Sequence, residues 1–278
     1  MAETPALACV IGWPLGHSRS PLIHNYWIKQ HWLNAEYRLE PVPPDRLKGF
    51  VGALSDRGYV GMNVTVPHKE AAMALSVPDE RARAVGAANT FWLDGDILRS
   101  TNTDIVGFLE NLDSATPAWD RGLSTAVVLG AGGGARAVVY ALLTREVDRI
   151  YVINRTPERA ESLKRQFGSR VVPVGWNETT GLLGGAGLLV NATTLGMSGQ
   201  PPLEINLRSP PSLVVADLVY DPLETALLRL ARQRGLRTAD GLGMLLHQAV
   251  GGFERWFGIR PEVTPELRAL VAADLTKS

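Results

Sequence analysis

The chain has 278 residues, of which 45% are apolar, 20% charged and 7% aromatic, and this ordinary globular usage excludes a disordered or fibrous protein. Lys plus Arg number 28 and Asp plus Glu number 28, so the net charge is zero and no general electrostatic pull toward nucleic acid or an anionic membrane exists. A single cysteine, Cys9, excludes an intrachain disulfide and a cysteine-based zinc cluster, and fits a reducing compartment, the cytoplasm.

The length predicts two domains. The apolar run 6–13 has no basic residue before it and does not read as a signal peptide, and no stretch approaches the roughly 20 apolar residues of a membrane-spanning helix. Apolar strands alternate with amphipathic helices, which predicts an α/β fold with a mostly parallel sheet covered by helices. Residues 7–11 read as a first strand and 21–33 as a helix, with Ser20 at its cap and Pro21 at its first position. Strands follow at 37–41 and 61–66, with a helix near 46–57 between them. Residues 70–84 are helical in character, 90–98 suggest a hairpin around Asp94-Gly95, and 103–112 read as a helix. After a polar connection at 115–124 the pattern restarts, with strands at 125–129, 149–153, 188–190 and 213–217. Helices are expected after 130, at 224–234, at 241–257 and at 265–275.

Between the strand at 125–129 and the next helix stands Gly130-Ala131-Gly132-Gly133-Gly134-Ala135, a match to G-x-G-x-x-A. Glycines there let the backbone turn tightly and approach a pyrophosphate, which meets the N–H groups and positive dipole end of the helix. An NAD site usually ends its second strand in Asp or Glu, which binds the ribose hydroxyl. Here that strand ends Asn154-Arg155-Thr156, with Arg159 four residues past Arg155. A guanidinium pairs with the extra phosphate of NADP where a carboxylate would repel it, so NADP is the expected cofactor.

Four polar clusters lie where strands end: 17–21, 63–69, 86–90 and 101–104. Singly each reads as turn chemistry. Together they assemble hydroxyls, amides, Lys69 and Asp104 with few other charges, which suits a neutral polyol carrying one anionic group. Strand alternation puts Asn63 and Thr65 on one face. Because Arg outnumbers Lys by 23 to 5, a lysine inside such a motif stands out as a group able to give up its proton. Gly241, Met244 and Gln248 share one side of the 241–257 helix, apart from an apolar face of Leu242, Leu245, Ala249, Phe253 and Trp256.

These motifs, with Asn191-Ala192-Thr193, Tyr220 and 241–248, resemble the shikimate dehydrogenase family over essentially the whole chain. The resemblance implies a substrate-binding and catalytic domain of residues 1–104 plus 241–278 and a Rossmann-type NADP-binding domain of 105–240, with the C-terminal helices returning to the first domain. It implies NADP-dependent, reversible reduction of 3-dehydroshikimate to shikimate. Ser18 and Ser20 would hold the substrate carboxylate. Asn63, Thr65, Asn89, Asp104, Tyr220 and Gln248 would hold hydroxyls or line the pocket, with Lys69 and Asp104 as the catalytic pair. Gly130, Ala131, Gly132, Gly133, Gly134, Asn154, Arg155, Thr156, Arg159, Thr193, Leu218, Gly241 and Met244 would contact NADP. The partner is then a small-molecule substrate, without nucleic acid or membrane, and the chain a monomer or homodimer. Residues 175–187 match none of these motifs. Two alternatives stay open: a paralogue acting on quinate, with either NADP or NAD, and a non-catalytic NADP-binding sensor or regulatory domain. The five histidines show no HExxH-type spacing, so no metal is expected.

Overall fold

The apolar run at the start forms strand β1 (Ala6–Gly12). A computed structural model describes residues 4–16, 18–207 and 210–277. Helix α1 (Ser20–Gln30), strand β2 (Ala35–Pro41), helix α2 (Leu47–Gly52), strand β3 (Tyr59–Val64) and helix α3 (Lys69–Met73) follow. Next come strand β4 (Val77–Pro78), helix α4 (Glu80–Val85) and the hairpin of β5 (Thr90–Asp94) and β6 (Ile97–Thr101). The sheet order is β2-β1-β3-β5-β6-β4. It is parallel except where β5 pairs with β3 and β6, so this half is mixed rather than uniformly parallel.

Helix α5 (Asp104–Ala115) leads into strand β7 (Thr125–Leu129), helix α6 (Gly133–Thr144), strand β8 (Arg149–Ile153), helix α7 (Pro157–Phe167) and strand β9 (Val171–Val174). Helix α8 (Thr179–Leu183), strands β10 (Leu188–Asn191) and β11 (Val214–Asp217), helix α9 (Ala226–Gln233) and strand β12 (Arg237–Ala239) complete a second six-stranded sheet. Its order is β12-β11-β10-β7-β8-β9 and every pairing is parallel. This is the doubly wound arrangement, in which ligands bind beyond the carboxyl ends of the strands where the order reverses. Helices α10 (Gly241–Phe257) and α11 (Pro265–Leu275) close the chain.

Two compact units result. Residues through Thr103 join Leu246–Val271, and Asp104–Leu245 join the residues from Ala272 onward. Among the described residues, no helix is long and apolar enough to cross a membrane.

Several expected elements differ. The helix expected at 70–84 is two short helices with β4 between them, because Pro78 cannot donate to an α-helical ladder and Asp79 caps a new start by accepting from Ala82 N at 2.9 Å. The expected helix at 46–57 shrinks to α2, preceded by a 3₁₀ turn at Pro44–Arg46. Ser20 is the first residue of α1, not its cap; Arg19 takes that place, and Ser20 N donates to Ser18 Oγ at 3.3 Å. Thr65 lies just past β3, so strand alternation does not govern it. On α10 the buried stripe runs Leu242, Leu246, Ala249, Phe253, Trp256 in steps of four and three, leaving Leu245 half-buried.

Candidate active site

In the first unit, β3 and the segment entering β5 place Asn63 and Asn89, two of the expected substrate residues, in one hydrogen-bonded lattice that reaches a third, Gln248. Asn63 is buried; its Nδ2 donates to Asn89 O and to Thr90 Oγ1, both at 3.1 Å. The Asn63 Oδ1 accepts from the buried Tyr37 hydroxyl at 2.7 Å. Asn89 Oδ1 accepts from Thr103 N at 2.8 Å and from Thr103 Oγ1 at 3.1 Å, while Asn89 Nδ2 donates to Gln248 Oε1 at 3.3 Å. Asn63, Asn89 and Gln248 therefore form one continuous array. Asn102 Nδ2 donates to Ala87 O at 3.0 Å, tying the end of β6 to the same turn. Such networks fix amide orientation, because each unmade bond in a buried site is costly.

Lys69 opens α3 and is half-buried. Its carbonyl accepts from Ala88 N at 3.2 Å, and Val64 N donates to Asn89 O at 2.9 Å. The backbone flanking Asn89 is thus fixed to both β3 and the first turn of α3. The preceding His68 is buried and bonds through Nε2 to Val42 O at 2.7 Å. Ser18 and Ser20 stand together at the start of α1, and Thr65 N donates to Ile11 O at 2.9 Å beside the end of β1. His17, part of the same motif, lies outside the described residues. Asp104, which opens α5, and Tyr220 belong to the second unit; Asp104 is buried and Tyr220 half-buried.

In the second unit the glycine-rich turn joins β7 to α6 as expected. Gly130 has φ +105°, and a Cβ there would stand 2.8 Å from Ala192 O, so only glycine fits. At Gly132 and Gly133 a Cβ would meet nothing within 4 Å, so the first turn of α6 faces open space where a pyrophosphate can reach its N–H groups. Gly241 has no room for a side chain because Leu218 backbone lies against it. Arg155, Thr156 and Arg159 are exposed around the start of α7, and Asn154 Nδ2 donates to Thr156 O at 2.8 Å. A turn open above a helix N-terminus, with two exposed guanidiniums one strand away, fits the donor set a 2′-phosphorylated dinucleotide needs.

Behind this cradle is a polar cluster of which the sequence supplied Asn191 and Thr193 through the motif 191–193, and Asp217 only as a strand end. Asn191 Nδ2 donates to Asp217 Oδ1 at 2.9 Å and to Leu195 O at 3.1 Å, and Asn191 Oδ1 accepts from Thr193 Oγ1 at 2.7 Å. Asp217 also accepts from Val219 N and from Thr225 Oγ1, at 3.1 and 2.7 Å. Burial holds the Asp217 carboxyl above the usual carboxylate range, and these hydrogen bonds oppose that shift. The cluster ties Thr193 and the backbone after Leu218 to the ends of β10 and β11. An Asp ending an apolar strand was the available signal.

Three family models match the chain in order: the shikimate dehydrogenase substrate binding domain over residues 10–91, shikimate / quinate 5-dehydrogenase over 118–196, and the shikimate 5′-dehydrogenase C-terminal domain over 241–270. The shikimate dehydrogenase (NADP(+)) of Rhodopseudomonas palustris strain TIE-1 is 62% identical over 99% of both chains. Among solved structures, shikimate 5-dehydrogenase from Thermus thermophilus, in complex with NADP(H) and shikimate, superposes with a TM-score of 0.83 at 35% identity, covering 97% of this chain and 99% of that one. Quinate dehydrogenase from Corynebacterium glutamicum in complex with NAD gives a TM-score of 0.89 at 31% identity, covering 97% and 99%. The fold is therefore shared by a shikimate dehydrogenase and a quinate dehydrogenase. The chain belongs to the shikimate dehydrogenase family.

Proposed function

We propose that this chain is the NADP-dependent shikimate dehydrogenase of its organism, reducing 3-dehydroshikimate reversibly to shikimate on the route to aromatic amino acids. The full-length 62% identity to an enzyme of that name carries the reading. We assign residues 1–104 plus 241–278 to the substrate and catalytic domain and 105–240 to the NADP-binding domain, while the compact units place Asp104, residues 241–245 and those from Ala272 onward with the second unit. The enzyme works in the cytoplasm, as a monomer or homodimer; its one cysteine, Cys9, is a buried thiol.

When bound, NADPH supplies the hydride. The chain's own residues bind, orient and move the proton. Ser18 Oγ accepts from Ser20 N, which leaves its O–H as a donor to the substrate carboxylate. Both Asn63 amide hydrogens are engaged within the chain, so Asn63 meets a substrate hydroxyl as an acceptor through Oδ1. Asn89, Thr65 and Gln248 complete the polar wall of the first unit, and Tyr220 is the further residue assigned to the substrate. Lys69 Nζ delivers a proton to the developing alkoxide during reduction and withdraws it during oxidation, with Asp104 the second member of the proposed catalytic pair. Gly130, Ala131, Gly132, Gly133 and Gly134 receive the pyrophosphate, and Asn154, Arg155, Thr156 and Arg159 receive the 2′-phosphate. Thr193, Leu218, Gly241 and Met244 line the remainder of the cofactor site.

Replacing Lys69 by alanine removes the proton donor without removing the polar wall. We expect kcat to fall by at least about 10²-fold with little change in the KM for shikimate. Steady-state rates of NADPH formation from shikimate and NADP measure this, and retention of most of kcat would take Lys69 out of the mechanism.

A further inference from the structure

A cavity of about 630 Å³ opens at the carboxyl ends of β8 and β9 in the second unit, within the usual size of small-molecule sites. Its lining includes Asn154 and Arg155, already read as cofactor residues, together with Leu195, Val174, Trp176 and Glu178. Trp176 belongs to the 175–187 segment, which no sequence motif explained. It is 39% exposed, one of the few large apolar side chains left so open. The turn presenting it is held in place: Gly175 N donates to Glu178 Oε1 at 2.9 Å, and Thr179 Oγ1 donates to Trp176 O at 2.6 Å.

Charge sorts what can lie where. The carboxylates of Glu161 and Glu178 share the lining and repel a phosphate, so Arg155 is the group in this cavity that attracts one. The apolar wall of Trp176, Val174 and Leu195 suits a flat, uncharged ring attached to that phosphate-bearing group.

We propose that Trp176 is the stacking platform for the adenine ring of NADP, a binding contact separate from the guanidiniums that read the 2′-phosphate. This rests on the cofactor reading given above. An indole stacks on any purine face and adds affinity without discriminating phosphate, whereas Arg155 discriminates phosphate. The two residues therefore divide affinity and cofactor choice between them.

The test is isothermal titration of adenosine 2′,5′-bisphosphate into the full-length chain carrying Trp176→Ala, Trp176→Phe or Arg155→Ala, with NADP-to-NAD preference measured in parallel. Trp176→Ala is expected to weaken binding about tenfold, within the range found when a stacked aromatic is truncated to alanine. Trp176→Phe is expected to restore most of it, and neither change to alter the preference for NADP over NAD. Arg155→Ala is expected to erode that preference. Unchanged binding in Trp176→Ala, beside a loss in Arg155→Ala, overturns the stacking role and spares the cofactor reading. Equal losses in the alanine and phenylalanine variants make Trp176 structural only and also overturn it. Unchanged binding in all three overturns the cofactor reading itself.

Discussion

Tyr37 was not among the residues the sequence pointed to, yet its phenol governs two that were. Its hydroxyl donates to Asn63 Oδ1, and the Ser20 side chain acts on it by opposing the rise in its pKa. Burial pushes the phenol well above its ordinary pKa, so it remains a protonated donor throughout the working range. With the Asn63 Nδ2 hydrogens on Asn89 and Thr90, the phenol completes the set that prevents the amide from flipping. Tyr37→Phe keeps the ring and deletes only this donor, leaving a buried acceptor short of one partner. We expect the KM for shikimate to rise about three- to tenfold, with the KM for NADP unchanged; initial-rate kinetics with each substrate varied in turn will show the split. A Tyr between alternating polar residues in β2 reads as an ordinary strand residue. Its partner lies 26 residues on, a separation that no local pattern reports.

At the scale of elements, the parts with strong local chemistry were legible and the parts defined by neighbours were not. The glycine turn, the hairpin at Gly95 and the span of α10 follow from turn geometry and period. The short strands β4, β9 and β12 are two to four residues long, too brief to show alternation, and exist because a parallel neighbour supplies their hydrogen bonds. The start of α9 illustrates the same limit. Thr225 caps it by accepting from Leu228 N at 3.3 Å, while its hydroxyl donates to buried Asp217 at 2.7 Å. Sequence offered a helix at 224–234 but not the second bond, which couples the helix cap to the β10–β11 cluster behind the cofactor turn. Thr225→Val is nearly isosteric and removes both bonds. We expect it to destabilise the second unit by about 1–3 kcal/mol, the cost of a lost cap plus a buried carboxylate deprived of a donor. Urea unfolding of the variant against the parent measures the difference.

For the molecule as a whole, 28 cationic and 28 anionic side chains balance at neutral pH, so self-repulsion is not what sets stability there. The response to acid begins instead with His24. Its ring is fully buried, has no hydrogen-bond partner on either nitrogen among the described residues, and stacks on Tyr37 with ring centroids 4.1 Å apart. Trp27, Phe253 and Trp256 surround it at 5.3–6.1 Å. Desolvation in this aromatic box lowers its pKa to about 3, against a smaller opposing pull from the Asn63 side chain. In the unfolded chain the same imidazole takes up a proton near pH 6.5, about 3.5 pH units earlier. Between those values the unfolded state binds the extra proton, so stability is fully present above about pH 6.5 and drains as pH falls toward 3, by about 1.4 kcal/mol per unit. His24→Phe keeps an aromatic ring in the box and abolishes that proton uptake. Between pH 7.5 and 5, above the range where ordinary carboxylates titrate, the parent is expected to lose about 2 kcal/mol more than the variant. Denaturant unfolding at each pH, followed by tryptophan fluorescence, reads this directly, since Trp27 and Trp256 flank the ring. Parallel pH profiles for parent and variant would mean that His24 is protonated in the fold and that the aromatic box does not exclude the charge.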